Sequence, residues 1–186
     1  MESSATQESL CVFGPREGYS SQIGIFISQL NWMRRAVVGR LKNLSQEDLD
    51  WLSDPGANSI GALLLHLAAT EVYYGLITFK GFPWASYSPE IKRRWGPAMK
   101  LGDLGRNQIK GNDLQFYISS LEETREHTLS EFRKCDDEWL MTVDHSWVWG
   151  PTNNLCKWFH VCEHESHHLG QIDLLMKHLP SRALKS

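Results

Sequence analysis

The clearest pattern in this chain is a set of four segments in which apolar residues recur every three or four positions. That spacing predicts amphipathic helices. The four segments cover about residues 19–42, 59–79, 112–139 and 154–178. The second, SIGALLLHLAATEVYYGLITF, is apolar on nearly every side, so we expect it at the centre of the protein.

Polar residues that favour helix N-termini support these boundaries. Either residue of the Asn58–Ser59 pair can cap the second segment, and any residue of 152–154 can cap the fourth. Ser45 and Asp48 have the spacing of an N-cap arrangement, which indicates a further short helix before Pro55.

The links between these segments are rich in turn-forming residues. Residues 80–110 contain many glycines and prolines, so we predict a long crossover with one turn of helix around residues 90–95. Residues 144–151, DHSWVWGP, predict a short extended or turn segment. Neither a repeat nor a lasting alternation typical of strands is present. The predicted fold is therefore all-α, a four-helix bundle with a long crossover between helices two and three.

The ends of the chain are more polar than its middle. Residues 1–18 are interrupted by Gly14, Pro15 and Gly18, so we expect a flexible N-terminal arm. Residues 19–180 are predicted to form a single domain, and residues 181–186 a C-terminal tail. A length of 186 residues suits one domain.

Composition excludes several classes of function. The net charge of -3 and the lack of a Lys/Arg run argue against nucleic-acid binding. The N-terminus has no secretory pattern, and no stretch approaches the roughly 18 apolar residues that span a bilayer, so we expect a cytoplasmic protein that does not enter membranes. The four scattered cysteines are expected to be free thiols.

Histidines are concentrated in the fourth segment, which holds five of the eight in the chain. His160, His164 and His168 fall on one stripe of a helix, and side chains four positions apart lie about 5 to 6 Å from each other. Two such imidazoles can chelate one ion, and a zinc site with an open position needs a third ligand. His66, within GALLLHLAA, is the candidate, because an unpaired buried polar ring costs about 1–3 kcal/mol.

Each of these interpretations has an alternative. His66 can instead be a core histidine that is hydrogen-bonded to a carbonyl or hydroxyl group, and the fourth segment can be a solvated histidine-rich face. HESHH also matches H-E-x-x-H, the zinc-protease motif. The extended motif needs a glycine and a third histidine where this chain has Gln171 and Leu174, and no glutamate follows Glu165 to serve as a downstream ligand, so proteolysis is disfavoured. Glu165 falls on the apolar arc and should have a partner. It is either a group supporting the metal ligands, a general base, or a member of a structural ion pair.

Two segments resemble the DinB-like superfamily of metal-binding four-helix bundles. They are SIGALLLHLAATEVYY, with its single histidine, and WFHVCEHESHHLGQIDLL, with a histidine pair before Gly-Gln-Ile. The resemblance implies an up-down-down-up bundle, a homodimer, and a zinc or nickel ion on His66, His164 and His168. The common family form has an arginine after the histidine pair, where this chain has Leu169.

The resemblance leaves the chemistry open among several classes. Similar bundles include transferases that attach low-molecular-weight thiols to small electrophiles, thiol-dependent isomerases, and proteins described as metal-dependent hydrolases. We predict thiol S-transferase chemistry, with a hydrolase or a non-enzymatic metal-binding or stress-response protein as alternatives. The small-molecule substrate is expected between the histidine stripe and the crossover with its Trp84, Tyr87 and Trp95.

Overall fold

The computed structural model describes residues 11–83 and 86–180, and it is mostly helical. In chain order its elements are α1 (Ser21–Arg40), α2 (Gln46–Asp50), α3 (Ile60–Lys80), α4 (Pro89–Lys100), α5 (Gly102–Gln108), α6 (Leu114–Phe132), α7 (Asp137–Met141), β1 (Val143–Asp144), β2 (Thr152–Asn153) and α8 (Asn154–His178). The four predicted helices correspond to the four long ones, α1, α3, α6 and α8.

Side-chain caps fix where these helices begin. The Ser59 hydroxyl accepts the N–H of Ala62 at the start of α3, and the Asn153 side chain accepts the N–H of Cys156 at the start of α8. Ser45 and Asp48 form the reciprocal capping box that their spacing predicts for α2. Each cap satisfies backbone donors that the first helical turn leaves without a partner.

Helix α3 lies at the centre of the packing. It contacts α6, α8 and α4, while α1 contacts α8 and α6. By length and composition α3 is apolar enough to cross a membrane, which corrects the expectation that no segment approaches this threshold; 78% of its most apolar window is buried inside the protein. Burial in the core explains that composition.

The crossover between α3 and α6 contains more helix than predicted. Ser88 caps α4, Pro89 occupies its first turn, and the helix continues through Gly96 and Pro97 to Lys100. The glycines and prolines there predict a loop, but proline is compatible with a first helical turn, and Trp95, Pro97 and Ala98 gain stability from burial. The expectation of a single helical turn is therefore wrong.

The third predicted helix ends earlier than its apolar spacing indicates. Helix α6 stops at Phe132, and Asp136 starts α7 by accepting the N–H of Trp139 at 2.7 Å. Asp136 therefore acts as an N-cap that breaks the helix into two. Strands β1 and β2 then pair antiparallel, so the predicted extended or turn segment 144–151 is largely the connection of a short hairpin.

The predicted arm is described only from residue 11, and residues 1–10 and the predicted tail 181–186 lie outside the described residues. The described part lies against α1, where Arg16 Nε donates to Ser28 Oγ at 2.9 Å. A Cβ added at Gly24 would come within 2.5 Å of the Arg16 backbone nitrogen, so this close approach requires glycine.

Candidate metal centre

The structure brings together the three histidines that the sequence singles out. His66 on α3 and His164 on α8 have Nε2 atoms 2.9 Å apart, and His168 Nε2 lies 3.0 Å from His164 Nε2. One potential ligand atom from each ring lies within 4.8 Å of the others. Together these three side chains, here called the histidine cluster, form the sole such group of metal-ligating side chains in residues 11–83 and 86–180.

The outward nitrogens of two rings are held by oxygen acceptors. His66 Nδ1 donates to the Ala98 carbonyl at 2.9 Å, and His168 Nδ1 donates to Gln171 Oε1 at 2.8 Å. Because a carbonyl oxygen can only accept, each Nδ1 carries a hydrogen, and in a neutral ring Nε2 then carries a lone pair. This is the arrangement that orients histidine ligands in metal proteins.

The surroundings keep the three rings neutral. Burial lowers the pKa of His66 to about 4, despite its hydrogen bond to Ala98, which acts in the opposite direction. Burial, with His168 nearby, lowers the pKa of His164 to about 3, and burial also lowers the pKa of His168. Neutral imidazole is the form that binds metals, so the cluster is ready to accept a cation at neutral pH.

The donor set fits a divalent ion better than it fits an isolated hydrogen-bond network. His66 and His168 both direct lone pairs at His164 Nε2, and one hydrogen on that nitrogen can pair well with only one of them. Nitrogen ligands about 2.0–2.1 Å from one tetrahedral ion stand roughly 3.3–3.4 Å apart, so the separations of 2.9 and 3.0 Å need to widen by only a few tenths of an ångström. A cation at the centre would satisfy all three nitrogens.

Two other histidines of α8, His160 and His167, lie beside the cluster. His160 Nδ1 is 2.8 Å from Glu163 Oε1, and its ring lies edge-on to Trp149, with 5.1 Å between centroids. His167 is exposed, and its Nε2 lies 3.2 Å from Gln171 Nε2. Neither is a member of the histidine cluster.

Glu165, adjacent to His164, points into a different polar group. Its Oε1 accepts from Arg34 Nη2 at 2.7 Å and from Arg125 Nη2 at 2.8 Å. Glu71 completes the group, because Arg34 Nη2 donates to its Oε2 at 2.7 Å and Arg125 Nε to its Oε1 at 2.8 Å. The expectation of a partner for Glu165 is met by an ion pair. We call these four side chains the ion quartet.

The ion quartet ties the four long helices together, since each contributes one residue. Burial alone would raise the pKa of Glu71, but Arg125 and Arg34 outweigh it and lower that pKa to about 2. Burial lowers the pKa of Arg125, but Glu71 and Glu165 reverse this and raise it. The ion quartet therefore contains two arginines and two glutamates whose opposite charges compensate one another.

Sequence reasoning missed most of this second group, although a signal exists. Arg34 falls on the apolar stripe of α1 between Leu30 and Val37. Arg125 falls between Leu121 and Phe132 on α6, and Glu71 is the acidic residue within the apolar α3. Charged residues at core positions are rarely buried without a partner, so such positions predict mutual pairing. From the sequence, Gln171 is identified only as a position where the chain departs from the extended zinc-protease motif.

The crossover aromatics pack against α3. Tyr87 is buried, and its ring centroid lies 4.4 Å from that of Tyr73. Trp95 is also buried, while Trp84 lies outside the described residues. Leu169, where the common family form has arginine, is partly buried and packs against the core.

Comparisons with known proteins agree with this architecture. A crystal structure of a conserved protein from Enterococcus faecalis superposes with a TM-score of 0.56 at 14% identity, covering 81% of this chain and 92% of that one. At that identity the likeness shows the fold alone. No curated protein matches the chain. The sequence profile of the DinB superfamily matches residues 29–172, which include two of the four long helices, α3 and α6, completely and parts of α1 and α8. The chain belongs to the DinB superfamily.

Proposed function

We propose that this protein holds one divalent metal ion, zinc or nickel, on the histidine cluster and transfers a low-molecular-weight thiol to a small electrophile. The observation that carries the proposal is the convergence of three neutral Nε2 atoms, two of them on rings whose Nδ1 donates outward. Three protein ligands leave a position for a substrate atom. A bound divalent ion supplies Lewis acidity, which lowers the pKa of a coordinated thiol.

The chain's own residues prepare the site for that chemistry. Ala98 and Gln171 fix the rings of His66 and His168, so little reorganisation is needed when a cation binds. His66 and His168 are buried, which excludes water from their side of the cluster. His164 is only half-buried, so we expect the small-molecule substrate to approach beside this ring.

Thiol transfer is favoured over hydrolysis by the position of Glu165. A hydrolase needs a general base that reaches water at the open position. Glu165 is 1% exposed, and one of its oxygens accepts hydrogen bonds from two guanidinium groups. Because these bonds hold the carboxylate within the ion quartet, it is not directed at the open position of the histidine cluster. A thiol, once its pKa is lowered, is itself the nucleophile and makes no such demand on Glu165.

The test is conjugation of glutathione or cysteine to monochlorobimane by metal-loaded protein, followed by fluorescence. The thiol sulfur forms a C–S bond to the bimane carbon, chloride leaves, and the thiol proton passes to solvent. We expect a rate above the spontaneous one for the wild type and its loss in His66→Ala. His178→Ala serves as the control, because His178 lies exposed at the far end of the same α8.

The same preparation discriminates the alternatives. Ester turnover without thiol conjugation would replace the proposal with a hydrolase, and Glu165→Gln would then abolish turnover with metal retained if Glu165 is the base. Tight metal binding with neither thiol conjugation nor ester turnover would indicate a non-enzymatic metal-binding or stress-response protein.

Three features of the whole molecule remain predictions. They are the up-down-down-up order of the long helices, a homodimer, and a cytoplasmic location. Light scattering coupled to gel filtration of the metal-loaded protein measures the second. A mass near twice the 21.4 kDa of the chain is expected, and a mass near 21.4 kDa would contradict it.

A further inference from the structure

A row of aromatic rings extends from the histidine cluster along the seam between α3 and α8. His160 lies one turn before His164 on α8, and the centroids of the two rings are 5.2 Å apart. The His160 centroid is 5.6 Å from that of Tyr74 on α3 and 5.1 Å from that of Trp149, between β1 and β2. The Trp147 centroid is 5.8 Å from that of Tyr74 and 5.7 Å from that of Trp149. We call His160, Tyr74, Trp147 and Trp149 the aromatic row.

A buried ion pair fixes the β1–β2 hairpin, which carries the two tryptophans, to α8. Lys157 on α8 is 3% exposed, and its Nζ donates to Asp144 Oδ2 at 2.8 Å. The same Nζ lies 4.6 Å from the centroid of the Trp147 ring, which is a cation–π contact. Hydrogen bonds from Lys157 and Ser146 lower the pKa of Asp144 to about 2, so this carboxylate is ionised at neutral pH. The hairpin is therefore held close to His160.

Trp149 is the exposed member of the aromatic row, and it lies in a tight turn. The Gly150 N–H donates to the Trp147 carbonyl at 2.9 Å, and Gly150 has a φ of 91°, a conformation that favours glycine. The Thr152 hydroxyl donates to the Gly150 carbonyl, also at 2.9 Å. Trp149 nevertheless leaves 54% of its surface exposed. A large ring whose backbone is already fixed can contact a ligand at a low entropic cost.

The aromatic row meets the histidine cluster at the ring where we expect substrate to enter. His164, which is only half-buried, contacts the row through His160. The crossover contacts the cluster at His66, which is buried and donates to the Ala98 carbonyl. The proposed approach beside His164 therefore leads past the hairpin rather than past the crossover, where the sequence alone predicts the substrate.

The charges around the aromatic row disfavour a negatively charged ligand. Asp144 compensates the charge of Lys157. Glu163 Oε1 lies 2.8 Å from His160 Nδ1, and the Glu163 side chain is 46% exposed. An anion on the row would be repelled by this carboxylate, whereas an uncharged ligand would not. Glutathione and cysteine carry ionised carboxylates at neutral pH, so the row fits the electrophile better than it fits the thiol.

We propose that the aromatic row binds the flat apolar body of the electrophile, which carries no negative charge, and that Trp149 determines this specificity. The inference rests on the proposed function and adds the class of electrophile, which is fused-ring or similarly flat compounds. The flat body packs on Trp149 and His160. Its reactive carbon then lies beside His164, where the thiol sulfur attacks.

Binding is measured by calorimetric titration of the metal-loaded protein with 2-(methylsulfonyl)naphthalene, a flat uncharged sulfone that has neither a thiol nor a leaving group. We expect saturable binding, with Kd raised about tenfold or more in Trp149→Ala. Trp149→Phe keeps a ring and should raise Kd by less than about threefold. The anion naphthalene-2-sulfonate should bind the wild type at least about fivefold more weakly than the sulfone.

Phe159→Ala is the matched control for the loss of an exposed aromatic ring. Phe159 directly precedes His160 and is 57% exposed, but it lines a groove between α1 and α8 rather than the aromatic row. Its Kd for the sulfone should stay within about twofold of the wild type. Metal content and thermal unfolding of Trp149→Ala should match those of the wild type, which separates a lost contact from a misfolded protein.

Kinetics with two electrophiles test whether the aromatic row acts on the reaction. Monochlorobimane is flat and bicyclic, whereas chloroacetamide is small. Both lose chloride as the thiol sulfur forms a C–S bond and the thiol proton passes to solvent. Trp149→Ala should raise KM for monochlorobimane about tenfold with kcat within about threefold, and should leave kcat/KM for chloroacetamide within about twofold of the wild type. An equal loss with both electrophiles would overturn the specificity role.

The titration also has outcomes that contradict the proposal. Absence of saturable sulfone binding, a Kd that Trp149→Ala leaves unchanged, or sulfonate binding as tight as sulfone binding would each overturn it. Because the titration needs neither thiol nor turnover, its failure would leave thiol transfer intact. Failure of thiol transfer would likewise leave a Trp149-dependent Kd intact.

Discussion

The histidine cluster and the ion quartet use neighbouring residues of the same two helices but satisfy their polar atoms in different ways. His66 and Glu71 both lie on α3, and His164 and Glu165 are adjacent on α8. In the quartet, two guanidinium groups face two carboxylates, so its charges cancel within the protein. In the cluster, three neutral rings direct their nitrogens at each other with no opposite charge among them.

This difference separates a structural polar group from one that awaits a ligand. Buried charges are retained when partners within the fold compensate them, and the quartet meets that condition apart from Glu165 Oε2, which has no hydrogen-bond partner among the described residues. The three rings of the cluster have no such partners within the described part of the fold. Their converging nitrogens are satisfied together only when a cation binds. Variants in the quartet should therefore change folding, and variants around the cluster should change metal binding.

The largest effect is expected from Glu71→Ala. Its removal leaves two buried arginines with one carboxylate between them, and breaking a buried ion pair costs about 3–5 kcal/mol. Urea unfolding of the metal-free protein measures the change. Glu122→Ala on the exposed face of α6 is the control and should stay within about 0.5 kcal/mol. A loss below about 1 kcal/mol for Glu71→Ala would show that the quartet is not a structural unit.

A slightly smaller effect is expected from pH. Arg125 and Arg34, against the opposing effect of burial, lower the pKa of Glu71 from 4.5 to about 2. The resulting stabilisation, about 3 kcal/mol, is fully present above pH 4.5 and is lost as pH falls through about 2. The difference in unfolding free energy between wild type and Glu71→Gln should shrink over that window. The same shrinkage should occur in a His66→Ala background, since His66 lies outside the quartet; a constant difference would contradict the assignment.

The smallest effect is expected at the histidine cluster, where it concerns metal affinity. Gln171→Leu removes the acceptor of His168 Nδ1 and should weaken metal affinity about tenfold or more, or about 1.4 kcal/mol, in competition with a chromophoric chelator. Gln171→Glu keeps an acceptor and should bind at least as tightly as wild type. Because Gln171 is exposed, unfolding of the metal-free variants should change by less than about 0.5 kcal/mol. A large loss of folding stability without a change in affinity would reverse the roles of the two groups.

The sequence predicted the elements whose signal is periodic and local. The long helices follow from apolar spacing, and the juxtaposition of His164 with His168 follows from the helical repeat alone. The approach of His66 to that pair was predicted from the cost of burying an unpaired ring and from the resemblance, because no local rule brings residues about 100 positions apart into contact. Both interpretations of His66 proved compatible: one nitrogen binds a core carbonyl while the other faces the cluster.

Other features could not be predicted from the sequence, because contacts between distant residues override local signals. Gly96 and Pro97 predict a loop, yet α4 passes through them where Trp95 and Ala98 pack into the core. Apolar spacing carries the third helix to Trp139, whereas one N-cap at Asp136 divides it. The quartet needs the relative placement of four helices, which periodicity does not specify, although each charged residue on a buried stripe marks an expected partner.

The measurement that tests the central claim most directly is metal content per chain by elemental analysis of untagged protein. Wild type is compared with His66→Ala, His164→Ala and His168→Ala, and with His178→Ala as the control on the same helix. We predict close to one zinc or nickel ion per chain in the wild type and the control, and loss of the ion in each cluster variant. Folded wild-type protein that holds no divalent metal after reconstitution would contradict the account.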